Sequence, residues 1–273
     1  MKANTIKHNN RIGLVATGVI VLVTALGAGA ILGYEKLKSV YLEQCVIADM
    51  AAQVEITSGK MVHPSTIAEE LGLRVGANLA LIDFSAKRKA LLEKIPNLRS
   101  IRISRRLPDK VIITAEERVP VARLASALTG AKAFSGRVVD TEGMVFIWQR
   151  GTQTLPTIRE ATAPGTPKGQ RITGRALAAL RLIEAGHDPE FADLGILEVS
   201  IANHNFLLAT LGNYSRVKII WEGMDEESPA SRSDLVRKLG LLQKAVRSRV
   251  APDAVIWNAT MPDTITGDTQ KKL

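Results

Sequence analysis

The chain has 273 residues, enough for a membrane anchor and one large or two small domains with cores of their own. Its 36 Lys and Arg against 27 Asp and Glu give a net charge of +9. That surplus is too thin for a nucleic-acid footprint and suits work near an anionic membrane surface. Cys45 is the one cysteine, which rules out an intrachain disulfide, speaks against a structural zinc site, and reads as an unremarkable thiol ahead of a bridge to another chain.

Ile12 to Gly33 is a run of 22 residues without a charge. As a helix it spans roughly 33 Å, the thickness of a hydrocarbon core. Lys2, Lys7 and Arg11 precede it and Glu35 follows, so the positive-inside rule keeps residues 1–11 in the cytoplasm and sends the body outside. Ala28-Gly-Ala30 fits a signal cleavage site, but the run exceeds the roughly 7–15 residues of a signal core and reads as an uncleaved single transmembrane helix, 12–33. Ala25, Gly29 and Gly33 repeat every four residues, a spacing at which small residues let a second helix approach.

The first module is expected over 46–118. Val54 and Ile56 open a strand, and His63-Pro-Ser-Thr starts a helix with Ser65 as its cap. A second helix carries Phe84, Leu91, Leu92 and Ile95 on one face and stops at Pro96. Leu98 to Arg105 alternates as a strand, Arg106-Leu-Pro-Asp109 is a turn, and Lys110 to Glu116 is a β-branched strand. Read alone, Glu117 and Arg118 make a surface ion pair of little worth.

The run Asn97 to Ala122 resembles the signature of the FtsQ/DivIB POTRA domain: strand, Arg-x-Leu-Pro turn, strand, then Glu-Arg-x-Pro-x-Ala. Its signature residues here are Arg105, Arg106, Leu107, Pro108, Glu117, Arg118 and Pro120. Gly76 to Asp83 matches the family's link between the two POTRA helices.

A second module is expected over 119–267, before a polar tail, 268–273. Gly136 to Trp148 reads as two strands around the turn Asp140-Thr-Glu-Gly143, followed by Leu155 to Ile158. A helix rises from Ile172 and ends at Gly186; strands follow at Leu197–Ile201, Phe206–Leu211 and Val217–Trp221. A helix from Arg232 to Arg249 turns Leu235, Leu239, Leu242 and Val246 inward and leaves Arg237, Lys238, Lys244 and Arg247 as a basic outer face. Ala254 to Thr260, a turn at Met261-Pro-Asp263 and a short Thr264-Ile-Thr266 close the chain. The order resembles the family's C-terminal β domain, with departures at Arg159-Glu160 and at Trp257 to Thr260.

The fold class is α+β: a membrane helix, a small β-α-α-β-β POTRA domain, and a mixed β-sheet domain with flanking helices. Neither a nucleophile–base motif, a phosphate loop nor a metal spacing is present in the sequence, so no catalytic residue, metal, cofactor or small-molecule substrate is expected. The resemblance implies a division scaffold in the inner membrane at the septum, with FtsB, FtsL and other division proteins as partners and lipid around its one transmembrane helix. It also implies strand addition at the C-terminal edge, here Thr260, Met261, Asp263, Thr264, Ile265 and Thr266, backed by Trp257, Arg237 and Arg247. The alternative is a POTRA-bearing accessory of envelope assembly or transport, using the same edge on another client.

Overall fold

The computed structural model describes Thr24, Gly29 and residues 31–126, 136–149, 151–160, 165–226, 228–248 and 254–268. The span expected at 12–33 therefore lies outside the described residues apart from Thr24, Gly29 and 31–33, and Ala25 and the tail at 1–11 lie outside them too. Among the described residues no helix is long and apolar enough to cross a membrane.

Two compact units interleave in sequence. The first comprises 1–57, 64–88 and 102–114, the second 58–63, 89–101 and 115–273. In the first, helix α1 (31–44) leads to the short α2 (Met50–Gln53), capped by Asp49, whose side chain accepts the Ala51 N–H at 2.8 Å. Strand β1 (Val54–Thr57) follows, then α3 (Pro64–Leu71). α3 starts one residue before the expected cap at Ser65, because Pro64 suits a first helical position where no N–H is needed. Helix α4 (Phe84–Lys94) starts at Asp83, whose carboxylate accepts the N–H groups of Ser85 and Ala86. Strands β2 (Leu98–Arg106) and β3 (Lys110–Glu117) form the hairpin, and the sheet order is β1-β3-β2 with β1 parallel to β3. Ile47, Ile67, Leu71, Leu79, Val111 and Ile113 are fully buried in the first unit. Cys45 is buried as well, so it is no exposed thiol for a bridge to another chain.

Among the described residues, the second unit is built on a nine-stranded mixed sheet. Its strands are β4 (Ala122–Ser126), β5 (Arg137–Val139), β6 (Val145–Ile147), β7 (Thr157–Glu160), β8 (Glu198–Ser200), β9 (Leu207–Thr210), β10 (Arg216–Ile219), β11 (Ile256–Ala259) and β12 (Thr266–Asp268). They lie in the order β12-β11-β10-β9-β8-β7-β4-β5-β6. The pairs β10–β11, β8–β7 and β7–β4 are parallel and the others antiparallel. Each parallel pair needs a crossover, and helices α5 (Gly174–Gly186) and α6 (Pro229–Arg247) supply two of them. Leu180 and Ile183 of α5, Leu235, Leu239 and Leu242 of α6, and Leu124, Ile158, Val199, Ala209, Val217 and Trp257 of the sheet share one core. Each such large side chain contributes about 1.5–3 kcal/mol by leaving water.

α6 begins three residues before the expected Arg232. Ser228 caps it by accepting the Ser231 N–H at 3.1 Å, and Pro229 takes the first helical position. The Ser231 hydroxyl accepts from the Trp221 indole at 3.0 Å and donates to the Gly223 carbonyl at 2.7 Å, tying the end of β10 to the start of α6. Lys238 is not on the basic outer face: it is 2% exposed. The terminal strand also runs later than expected, over Thr266–Asp268, so Thr264 and Ile265 belong to the connection.

Candidate protein-protein interface

The hairpin turn of the signature folds back on its own unit. Arg105 donates to the Ile82 carbonyl at 2.5 Å and lies 4.6 Å from the centre of the Phe84 ring, a cation–π contact. Arg106, Leu107 and Pro108 are exposed at the tip, where the Leu107–Pro108 bond is cis. Pro120 is half-buried just after the hairpin.

Glu117 and Arg118 do not pair with each other as a surface couple; adjacent residues of an extended chain point to opposite faces. Glu117 accepts three backbone N–H groups, from Lys60 at 3.0 Å, Met61 at 2.9 Å and Val62 at 2.7 Å. A Cβ on Gly59 would stand 2.2 Å from that carboxylate, so glycine leaves the room it occupies. Arg118 is buried and its Nη1 meets Asp140 at 2.5 Å and Glu142 at 3.1 Å, while its Nε donates to the Pro96 carbonyl. Asp140 is also the turn residue expected of it, its Oδ1 accepting the N–H groups of Glu142 and Met144. Glu142 gathers Arg99 at 3.0 Å and Arg171 at 3.2 Å besides Arg118. Hydrogen bonds from Arg118 and Arg99 hold its carboxyl below the ordinary value of 4.5.

A second buried pair stands where the sequence departs from the family pattern. Arg137 meets Glu160 at 3.0 Å, and Glu160 accepts the N–H and hydroxyl of Thr166. Gly165, at φ +76, has no space for a Cβ against that carboxylate.

At the C-terminal end, β12 pairs on one side with β11, and among the described residues no strand pairs with its other side. Trp257 is buried in the core beneath, so it supports the edge and presents no face to a partner; its indole N–H has no acceptor among the described residues. Thr260 and Ile265 are half-buried, and Met261, Asp263, Thr264 and Thr266 are exposed. Arg237 is engaged by Asp234 and Asp263 and donates to the Pro262 carbonyl at 3.1 Å; Arg247 meets Asp193 at 2.7 Å. The Lys238 ammonium donates to the carbonyls of Ala259 and Met261, and burial lowers its pKa. Three cations of α6 thus fix the protein's own loops.

A cleft of about 740 Å³ beside α5 and the start of α6 is lined by Arg181, Glu184, Trp221, Ser228, Ser231 and Arg232, among others. Both of those serine hydroxyls are committed, one to the helix cap and one to Trp221 and Gly223. Burial pushes the Glu184 carboxyl up, against the opposing charges of Arg232 and Arg181. Among the described residues no cluster of three His, Cys, Asp or Glu is poised for a metal ion.

Two helices against a three-stranded β1-β3-β2 sheet, with the Arg-Leu-Pro turn in its hairpin, define a POTRA-bearing protein. Residues 51–118 match the POTRA domain family of FtsQ type, a family of non-enzymatic scaffolds. The match covers 68 of the 273 residues, and that stretch is a POTRA domain of FtsQ type. No curated protein matches the chain.

Proposed function

We propose that this protein is a membrane-anchored division scaffold that binds a partner strand along the free edge of β12. The FtsQ-type domain is division-related, and the observation that carries the binding mode is the exposed edge Thr266–Asp268 at one end of a nine-stranded sheet. A row of unpaired backbone N–H and C=O groups is a template for an added strand. The apolar run at 12–33 supplies the anchor, the body lies outside the inner membrane, and the protein acts at the septum. FtsB and FtsL are the partners that the resemblance to the FtsQ/DivIB family suggests. The serines of the cleft are spent on structure, which favours a scaffold over an enzyme.

Alternate residues of a strand point their N–H groups to opposite sides. Proline at Thr266 or Asp268 and proline at Gly267 therefore remove donors from different sides of β12. One class blocks the edge, and the other breaks the pairing with β11. Partner binding lost in one class with the fold retained supports strand addition. Binding retained in every variant sinks it. A fluorescent fusion at the N-terminus then tests the setting: a midcell band supports division, and uniform membrane signal opposes it.

A further inference from the structure

Beyond α1 the first unit covers 45–57, 64–88 and 102–114. Among its described residues there, three large apolar side chains are exposed: Val75 at 65%, Leu81 at 72% and Leu107 at 45%. All three sit at one end of the unit. Arg105, two residues before Leu107, donates to the carbonyl of Ile82, next to Leu81, so the hairpin tip lies beside the loop at 74–82. The same loop is bonded to the chain that leaves α1. The Leu42 carbonyl accepts from the Asn78 side chain at 2.7 Å, the Cys45 carbonyl from the Leu79 N–H at 2.9 Å, and the Ile47 carbonyl from the Gly76 N–H at 2.8 Å. β1 enters the sheet at this end as well, since Val54 is level with Val111, the second residue of β3. Every residue of 31–44 except Leu42 is exposed, so α1 stands clear of the body and meets it here.

Charge and reach decide what this end meets. Segments 74–83 and 105–110 carry Arg74, Arg105, Arg106 and Lys110 against Asp83 and Asp109. Asp83 is committed to the first N–H groups of α4, and Arg105 to Ile82 and Phe84. Arg74, Arg106 and Lys110 are exposed and make no ion pair among the described residues. Arg106 ends β2 and Lys110 begins β3 across the turn, a like-charge pairing that an anion relieves. Exposed apolar side chains set among cations are what an anionic lipid surface takes. From Gly33, the end of the apolar run, to Leu42 is nine residues, about 13.5 Å of helix rise. Headgroups fill about 5–7 Å of that. The roughly 7 Å left lies within the ~8 Å over which a charged surface acts at physiological salt, and tilt of the helix shortens it.

We propose that this end of the unit rests on the anionic headgroups of the membrane, with Val75, Leu81 and Leu107 against the interface and Arg74, Arg106 and Lys110 on lipid phosphates. It is a second membrane contact beside the anchor. The inference rests on the anchor reading, which is what brings the lipid surface within reach.

The test uses the full chain in phosphatidylcholine vesicles with or without phosphatidylglycerol, a fraction of the lipid carrying a headgroup quencher. A fluorophore is attached at Leu81→Cys or, for reference, at Thr114→Cys, which is exposed further along β3; Cys45 is buried and stays unlabelled. With phosphatidylglycerol, quenching at 81 should exceed quenching at 114. It should fall about fivefold when Arg74, Arg106 and Lys110 are all replaced by Glu. Those side chains are exposed, so the replacements leave the fold intact, which circular dichroism checks. Equal quenching at both positions overturns the proposal and hands the patch to a protein partner. Quenching indifferent to the charge reversal overturns it too. Shielding of the label at 81 from a soluble quencher that requires two chains in one nanodisc overturns it in favour of a second copy. Flotation of the unaltered chain at alkaline pH reads the anchor separately. A chain that fails it lacks the anchor, and quenching on preformed vesicles then still decides whether this end meets lipid.

Discussion

Arg118 and Asp140, 22 residues apart, meet at 2.5 Å with both side chains withdrawn from water. A buried ion is held by its partners, so removing one leaves the other uncompensated, at a cost of about 3–5 kcal/mol. Arg118→Met is expected to destabilise the chain in that range. Adding Asp140→Asn should recover part of the loss, because Asn keeps the oxygen that accepts the Glu142 and Met144 N–H groups and discards the stranded charge. Urea unfolding of the two variants checks this, and a double variant no more stable than Arg118→Met would refute it.

Glu142 titrates in the same cluster. Its carboxyl is held below 4.5 by hydrogen bonds from Arg118 and Arg99, so the folded state favours the ionised form. The stability this contributes is complete above 4.5 and is lost as pH falls through the lower folded value. The stability difference between the natural chain and Glu142→Gln should be constant near neutrality and shrink below that point. Thermal melts across pH 2.5 to about 7 read it, and a pH-independent gap would show that the arginines do not sense the carboxylate charge.

Glu117 and Gly59 form a unit. Glu117→Ala leaves the N–H groups of Lys60, Met61 and Val62 without their acceptor, a loss of about 1–3 kcal/mol. Gly59→Ala should cost a similar amount by displacing the carboxylate. In a Glu117→Ala background the same alanine should cost almost nothing. Additive losses in that double-mutant cycle would mean Gly59 acts through its own backbone instead.

Local pattern made much of this legible. Alternation marked β2, Pro96 marked the end of α4, Asp140-Thr-Glu-Gly143 marked the turn between β5 and β6, and Gly186 closed α5. Sheet order was not, because strand pattern carries no register between strands far apart in the chain. Arg118 looked like one member of a surface pair because its true partners, Asp140 and Glu142, arrive through tertiary folding. Two misses had signals. Ser228-Pro229 is a helix start, and position 238 lies three residues past Leu235 and four before Leu242, on the inward stripe. Ordinary preference placed Lys238 outside; the carbonyls that hold it belong to the loop after β11.

That lysine gives the last expectation. Lys238 is buried, and burial is the chief cause lowering its pKa below the ordinary 10.5. The unfolded chain therefore holds this proton more tightly than the fold does. Stability should rise with pH from the depressed folded value up to 10.5, and Lys238→Met should abolish that rise. The Lys238 amino group donates to the Ala259 and Met261 carbonyls, which anchor the connection between β11 and β12. Removing it leaves a buried acceptor unmet, about 1–3 kcal/mol, and frees the loop that carries Asp263. Hydrogen exchange in Lys238→Met should speed up over Thr266–Asp268 ahead of β10. Uniform speeding across both strands would make Lys238 a general core residue with no special hold on the edge.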